Sequence, residues 1–451
     1  MGDTSLRSDE LVQRIWARDP TAWTGGDEAH WLGWLDEPQR IPDSYGWIEE
    51  ARGEFDTFVL FGMGGSSLAP EVLAQTFGVE AFHVLDTTHP AAIRRLEEGL
   101  ELERTLFLAS SKSGTTLETR SHLDYFWERT GKRGEAFAVV TDPGSELESL
   151  ARQRGFRAVV AGEPTIGGRY SALSPFGVVP AALMGVELPR LRERAQEMVE
   201  ACRGPESPGL ELGLRLGEGW HAGRDKVVIN HNPGGFGMWA EQLLAESTGK
   251  RGKGLVPAPG ESPDGPDRQA AEVQVAEPYD LGAEFFRWEF ATAVAGSILE
   301  INPFDQPDVQ AAKDRTNEVL ASGGDPDLEP KSSVDELLAQ AGPGDYIAVQ
   351  AFIDPAREAE LGHLAERLRR ESGCVVTVGL GPRYLHSTGQ LHKGGPPSVL
   401  ALQVVDDPGR ELKIPGRKFG FARLIRAQAA GDYASLEERG RRVARIRLED
   451  A

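Results

Sequence analysis

Between residues 57 and 161, short apolar runs alternate with stretches whose apolar residues recur every three or four positions. The runs at 57–62, 82–86, 105–110, 136–141 and 157–161 are predicted strands, being short, rich in Val, Leu, Phe and Ala, and bounded by turn residues. The stretches 68–77, 91–98, 117–128 and 145–153 have helical spacing. Such alternation builds βαβ units, hence a parallel sheet with helices on both faces. The pattern weakens over 183–219, which reads as helical and charged, and restarts with strands predicted at 226–231, 273–277, 346–352, 374–379 and 398–405. An α/β protein of two αβα sandwiches with mainly parallel sheets is expected. Residues 1–50 would form a helical preface, its tryptophans (Trp16, Trp23, Trp31, Trp34, Trp47) packing at the surface. Residues 51–200 would be the first sandwich, and 201–451 the second with a C-terminal helical tail. The aperiodic Pro-, Gly- and Asp-containing stretches 257–267 and 322–333 read as surface loops.

Charge changes the picture most. The chain of 451 residues has 70 acidic and 49 basic side chains, a net charge of -21. Nucleic acid and anionic membrane, which need a basic footprint, are thereby disfavoured as partners. A phosphate ligand would have to be held by local geometry. The two cysteines, Cys202 and Cys374, lack metal-site spacing, and the histidines form no ligand cluster, so neither a disulfide framework, a metal nor a cofactor is expected. No apolar h-region opens the chain and no run of 18 apolar residues occurs, so a cytoplasmic location is expected.

Two loops carry candidate chemistry. The first strand ends in Gly62-Met63-Gly64-Gly65-Ser66-Ser67 and passes into a helix. Glycines permit close backbone approach, and a helix N-terminus offers unpaired N–H groups to an anion. The plainer alternative is a Gly-rich strand-to-helix turn; the spacing matches neither a Walker loop nor a dinucleotide fingerprint. The strand 105–110 runs into Ser111-Lys112-Ser113-Gly114-Thr115-Thr116 and Thr119. Five hydroxyls and a glycine within this stretch suit a phosphate monoester, whereas an N-cap needs one or two. Two such loops at the C-terminal ends of parallel strands place a ligand in the crevice between them.

These loops resemble the sugar-isomerase (SIS) domain of the phosphoglucose isomerase family. Gly167-Gly168-Arg169-Tyr170-Ser171, the stretch Glu241–Lys250 ending in Glu246-Ser247-Thr248-Gly249-Lys250, and Ile301-Asn302-Pro303-Phe304-Asp305-Gln306-Pro307 with Val309 and Lys313 are similar to further motifs of that family. The resemblance covers roughly residues 10–451 and is nearest to the isomerase half of bifunctional transaldolase/phosphoglucose isomerase chains, with no transaldolase portion evident. It implies SIS-type sandwiches, a hexose 6-phosphate substrate, and glucose 6-phosphate/fructose 6-phosphate interconversion in glycolysis and gluconeogenesis without a cofactor. It also implies roles: Glu246 as the base moving a proton between C2 and C1, Arg169 beside the enediolate, and Lys313 near the reacting hydroxyls. Gly65, Ser66, Ser111, Lys112, Ser113, Thr116 and Gly168 would bind substrate, although the Lys112 side chain could equally point outward. On residue chemistry alone, Glu246 could instead pair with Lys250 at i+4 on a helix surface.

One segment departs from the family order. The family's Asp-Leu-His-Ser-Leu-Gly-Gln string, which supplies a ring-opening histidine, is missing after the glutamate. A similar string, Leu385-His386-Ser387-Thr388-Gly389-Gln390, lies far downstream. The resemblance then points to His386 as the ring-opening group and to a reordered second domain. In the family this histidine comes from a neighbouring subunit; the reordering leaves both a homodimer and a self-sufficient chain open. Rival readings are a non-catalytic sugar-phosphate-binding SIS regulator, an amidotransferase-type sugar synthase, which the absence of cysteine before Cys202 disfavours, and an isomerase that also accepts mannose 6-phosphate.

Overall fold

The computed structural model describes residues 2–451 apart from Pro205, Val309, Asp325 and Asp327, and apart from the side chains of 2–8, 311 and 312. Strands β1 (Thr57–Phe61), β2 (Phe82–Leu85), β3 (Thr105–Ser110), β4 (Phe137–Thr141) and β5 (Ala158–Ala161) form one sheet in the order β2-β1-β3-β4-β5. Every residue of the central strand β3 is buried, as its unbroken apolar run requires. Phe61, Phe107 and Phe137 stack across neighbouring strands, and Phe126 from the helix Leu117–Arg129 stacks on Phe107 with centroids 4.9 Å apart. Each aromatic pair adds about 0.5–1.5 kcal/mol beyond its burial. That helix starts at the hydroxyl-rich loop, so the aromatic stack holds the loop against the sheet.

The remaining strands are β6 (Lys226–Asn230), β7 (Val256–Pro259), β8 (Arg268–Glu272), β9 (Tyr346–Phe352), β10 (Val375–Leu380), β11 (Val399–Val405) and β12 (Arg442–Arg447). They make two sheets, β7-β6-β8 and β10-β9-β11-β12, rather than one. Among the described residues every ladder between named strands is parallel, with helices packed on the sheets. No helix among them is long and apolar enough to cross a membrane.

Four segments differ from the sequence expectation. The strand expected at 273–277 is β8, five residues earlier; its polar Gln269 is buried by donating to the Leu216 and Arg224 carbonyls. The stretch read as a loop from 257 opens inside β7, which tolerates Pro257 and Pro259 because it is an edge strand. The C-terminal tail is the helix Phe421–Glu438 followed by β12, not helix throughout. Its Arg-rich pattern hides a strand whose Arg445 is buried and donates to Gln403 Oε1 at 2.6 Å. Finally, Trp34 is not a surface tryptophan. It is 1% exposed and packs on Tyr170 and Phe286 with centroids 5.3 and 5.7 Å away, forming a floor under the 167–171 turn.

Candidate active site

Four sequence-distant segments meet at the end of β1. Gly64, at φ +56°, leaves no room for a Cβ beside the His386 carbonyl and the Gln242 amide. Gly65 sits so close to the Gly168 carbonyl that any side chain would overlap it. Glycine is therefore required by contact between loops as well as by the turn. Ser66 closes the short turn Gly64–Ser66, before the helix Leu68–Phe77.

The second loop is internally braced. Ser111 Oγ lies 2.9 Å from Thr116 Oγ1 and accepts from the Gly114 N–H; Ser113 Oγ lies 3.0 Å from Thr115 Oγ1. Thr116 stands at the N-cap of the helix Leu117–Arg129 but makes no side-chain cap bond. The first-turn N–H groups and the positive end of the helix dipole thus lie next to the hydroxyls. Ser113, Thr115 and Thr116 line a cleft of about 470 Å³ with Lys313, His386, Lys393 and Arg417. Lys313 and Arg417 bring positive charge to a lining that also holds the Glu118 carboxylate, while Lys393 is paired with Asp432. Lys112 does not join them: its Nζ is 2.6 Å from Asp142 Oδ2 and donates to the Glu163 carbonyl at 3.0 Å. Ser111 is buried behind the lining hydroxyls, as a brace.

His386 Nε2 lies 3.1 Å from Glu118 Oε1, which also accepts from Gln428 Nε2 at 2.6 Å. Burial alone would raise the Glu118 carboxyl pKa; the facing His386, a backbone hydrogen bond and Lys313 outweigh it and hold the pKa down to about 2. Glu118 is thus a fixed anion that orients the imidazole.

Glu246 lies on the helix Phe236–Thr248 and is 7% exposed. Gln242, one turn earlier, donates through Nε2 to Glu246 Oε2 at 3.0 Å and to the His386 carbonyl at 2.8 Å. Arg169 Nη1 stands 3.6 Å from Glu246 Oε1. The Arg169 guanidinium also donates to Ser247 Oγ, Gln306 Oε1 and the carbonyls of Pro303 and Asp305, at 2.7–3.1 Å. Lys250 does not pair with Glu246. It binds Asp305 and the Asn302 carbonyl, and desolvation together with the neighbouring Arg169 lowers its pKa to about 8. Lys313 is exposed at the cleft on the helix Gln310–Ser322, and Val309 of the same motif lies outside the described residues. Arg169→Ala would strand a buried carboxylate and four acceptors, so a loss of about 3–5 kcal/mol is expected. Urea unfolding measures it; a loss below about 1 kcal/mol, the scale of an exposed pair, would contradict the arrangement.

The cleft thus gathers Ser113, Thr116, Lys313 and His386, while Gly65, Gly168, Arg169 and Glu246 stand beside it, linked through Gln242. Sequence reasoning missed Glu118, Gln242, Gln428 and the buried Lys393–Asp432 pair, 2.6 Å apart. Glu118 and Gln242 lie within the quoted motifs and could have been flagged there; Gln428 and Asp432 carry no local signal. Among the described residues no three His, Cys, Asp or Glu side chains are grouped to hold a metal ion.

No family model matches the chain. It is 33% identical over 291 residues to a glucose-6-phosphate isomerase of Thermus thermophilus, covering 55% of this chain and 64% of that protein. It is 36% identical over 219 residues to a glucose-6-phosphate isomerase of Thermosynechococcus vestitus, covering 44% and 41% respectively. The matches span less than two thirds of these curated relatives. A solved glucose-6-phosphate isomerase from Chlamydia trachomatis superposes with a TM-score of 0.57 at 18% identity, over 71% of this chain and 85% of that one, and so shares the fold. Over about half of its length the chain is thus similar to glucose-6-phosphate isomerases, and it shares the fold of a solved one.

Proposed function

We propose that the chain is an aldose–ketose isomerase interconverting glucose 6-phosphate and fructose 6-phosphate through a cis-enediol. The observation that carries this reading is the buried Glu246 carboxylate, flanked by Arg169 and Gln242 and tied through Gln242 to the segment bearing His386. A binder without turnover gains nothing from desolvating a carboxylate beside a guanidinium, whereas proton transfer at carbon needs both: a base, and fixed positive charge where the enediolate forms. In this reading Ser113, Thr115, Thr116 and the helix N-terminus hold the phosphate, and Lys313 and His386 face the sugar. The chain supplies His386 to its own cleft, so a homodimer is not needed to complete it.

Glucose 6-phosphate incubated with the protein in D2O should yield fructose 6-phosphate with solvent deuterium entering at the transferred position. Mannose 6-phosphate in a parallel reaction defines the stereochemical tolerance. No interconversion, or product without any solvent exchange or proton transfer between C2 and C1, would overturn the proposal. Ser113→Ala with Thr116→Ala should raise KM and weaken inorganic phosphate in parallel, with kcat nearly kept, because the phosphate is held alike in ground and transition states. A fall in kcat at unchanged KM would contradict that role.

A further inference from the structure

Arg417 lines the cleft with Ser113, Thr115 and Thr116, yet it belongs to none of the motifs in the sequence. The side chain is partly buried, and its Nε is shut off from solvent without a partner. Its two outer guanidinium nitrogens are not shut off, and among the described residues no carboxylate or carbonyl accepts from them. Other partly buried arginines are matched: Arg154 with Asp124 at 3.1 Å, and Arg383 with both oxygens of Asp86 at 2.6 and 3.0 Å. Burial lowers the Arg417 pKa from the usual arginine value, with Arg120 pushing the same way and Asp124 opposing. A guanidinium keeps its charge through such a shift, so a desolvated cation stands at the cleft without an anion.

The loop that carries Arg417 is fixed. Glu411 accepts from the Ala422 N–H at 2.8 Å and the Arg423 N–H at 3.2 Å, and Lys413 pairs with Gly420 as a backbone bridge. Ile414 is buried, and the Phe421 ring stacks on His122 of the helix Leu117–Arg129 with centroids 5.5 Å apart. That helix begins at the hydroxyl loop, and its Arg120 donates to the Gly114 carbonyl at 3.2 Å. Arg120 is near enough to act on the Arg417 charge, which puts this guanidinium on the hydroxyl-loop side of the cleft. Glu118, the carboxylate of the lining, is taken by His386 and Gln428.

We propose that Arg417 is a phosphate-binding residue, holding the phosphate of the sugar substrate together with Ser113, Thr115 and Thr116. This rests on the function proposed above. Hydroxyls and helix N–H groups supply hydrogen bonds but only partial charge, whereas a phosphate monoester carries close to two negative charges near neutral pH. The planar fork of a guanidinium adds a full charge and two parallel N–H···O bonds. In a chain of net charge -21 a fixed local cation also offsets the general repulsion of a dianion. Arg417 would thereby favour phosphorylated over neutral sugars.

Calorimetric titration of the full chain with inorganic phosphate tests this without turnover, and glucose 6-phosphate kinetics give a second readout. Arg417→Gln should weaken phosphate by about tenfold or more, the effect of losing a charge-assisted pair, and raise KM in parallel, more than it lowers kcat. The weakening should persist at about 0.3 M salt, where a charge acting only from a distance is screened. Arg417→Lys keeps the charge without the fork, should bind phosphate with intermediate affinity, and decides the matter if the first variant fails to fold. Parental phosphate affinity in the folded variants, or a loss that vanishes at the higher salt, would overturn the role. Weakened phosphate binding in a chain that turns over no hexose phosphate would uphold the contact and sink the isomerase assignment alone.

Discussion

Glu246→Gln is expected to lower kcat for glucose 6-phosphate by about 10²–10⁴-fold, the range attributed to a positioned general base. Sugar-phosphate affinity should stay within several-fold, because the hydroxyl loop and the helix N-terminus, not this carboxylate, would hold the phosphate. The substitution is nearly isosteric. A Gln here still meets the Gln242 amide, which donates to Glu246 at 3.0 Å, and Ser247 and the Pro303 and Asp305 carbonyls still hold Arg169. What is lost is the ability to take a proton from carbon. Rapid-quench assays in both directions, with deuterium exchange at C2, measure this directly. Residual turnover within about tenfold of the parent would assign the base elsewhere.

His386→Ala is expected to show the second largest effect, and a selective one. Hexose 6-phosphates are mostly cyclic, so a proton must move between the ring oxygen and the C1 hydroxyl before chemistry at C2. An imidazole can give and accept that proton near neutral pH, and Glu118 at 3.1 Å orients it. Turnover of cyclic glucose 6-phosphate should fall by about 10²-fold or more. Proton exchange at C2 of a four-carbon aldose phosphate, whose phosphorylated terminal hydroxyl cannot close a ring, should persist near the parental rate. Equal losses on both substrates, or none on either, would remove His386 from the ring-opening step. Glu118→Gln should show the same selectivity more weakly, since the imidazole remains but loses its anionic anchor.

The sequence by itself determined the local elements and the chemistry each could carry. The strand at 105–110 and the helix at 68–77 are found at their expected bounds, because unbroken apolar runs and three-to-four spacing encode burial locally. The hydroxyl loop was equally legible, since its residues are consecutive. Where polar side chains build strands, the signal failed: β8 and β12 hold together through Gln269 and Arg445, whose partners are far away in sequence. The same limit applies to the site. Nothing local pairs His386 with Glu118, 268 residues apart, or turns Glu246 from Lys250 toward Arg169. Nor does the loop composition show that Lys112 swings to Asp142. Such choices depend on which groups packing leaves within about 3 Å of each other away from water, and there geometry sets the strength of each interaction. Tertiary structure alone decided that the displaced histidine segment returns to the hydroxyl-rich loop, so that His386, Ser113 and Thr116 line one cleft.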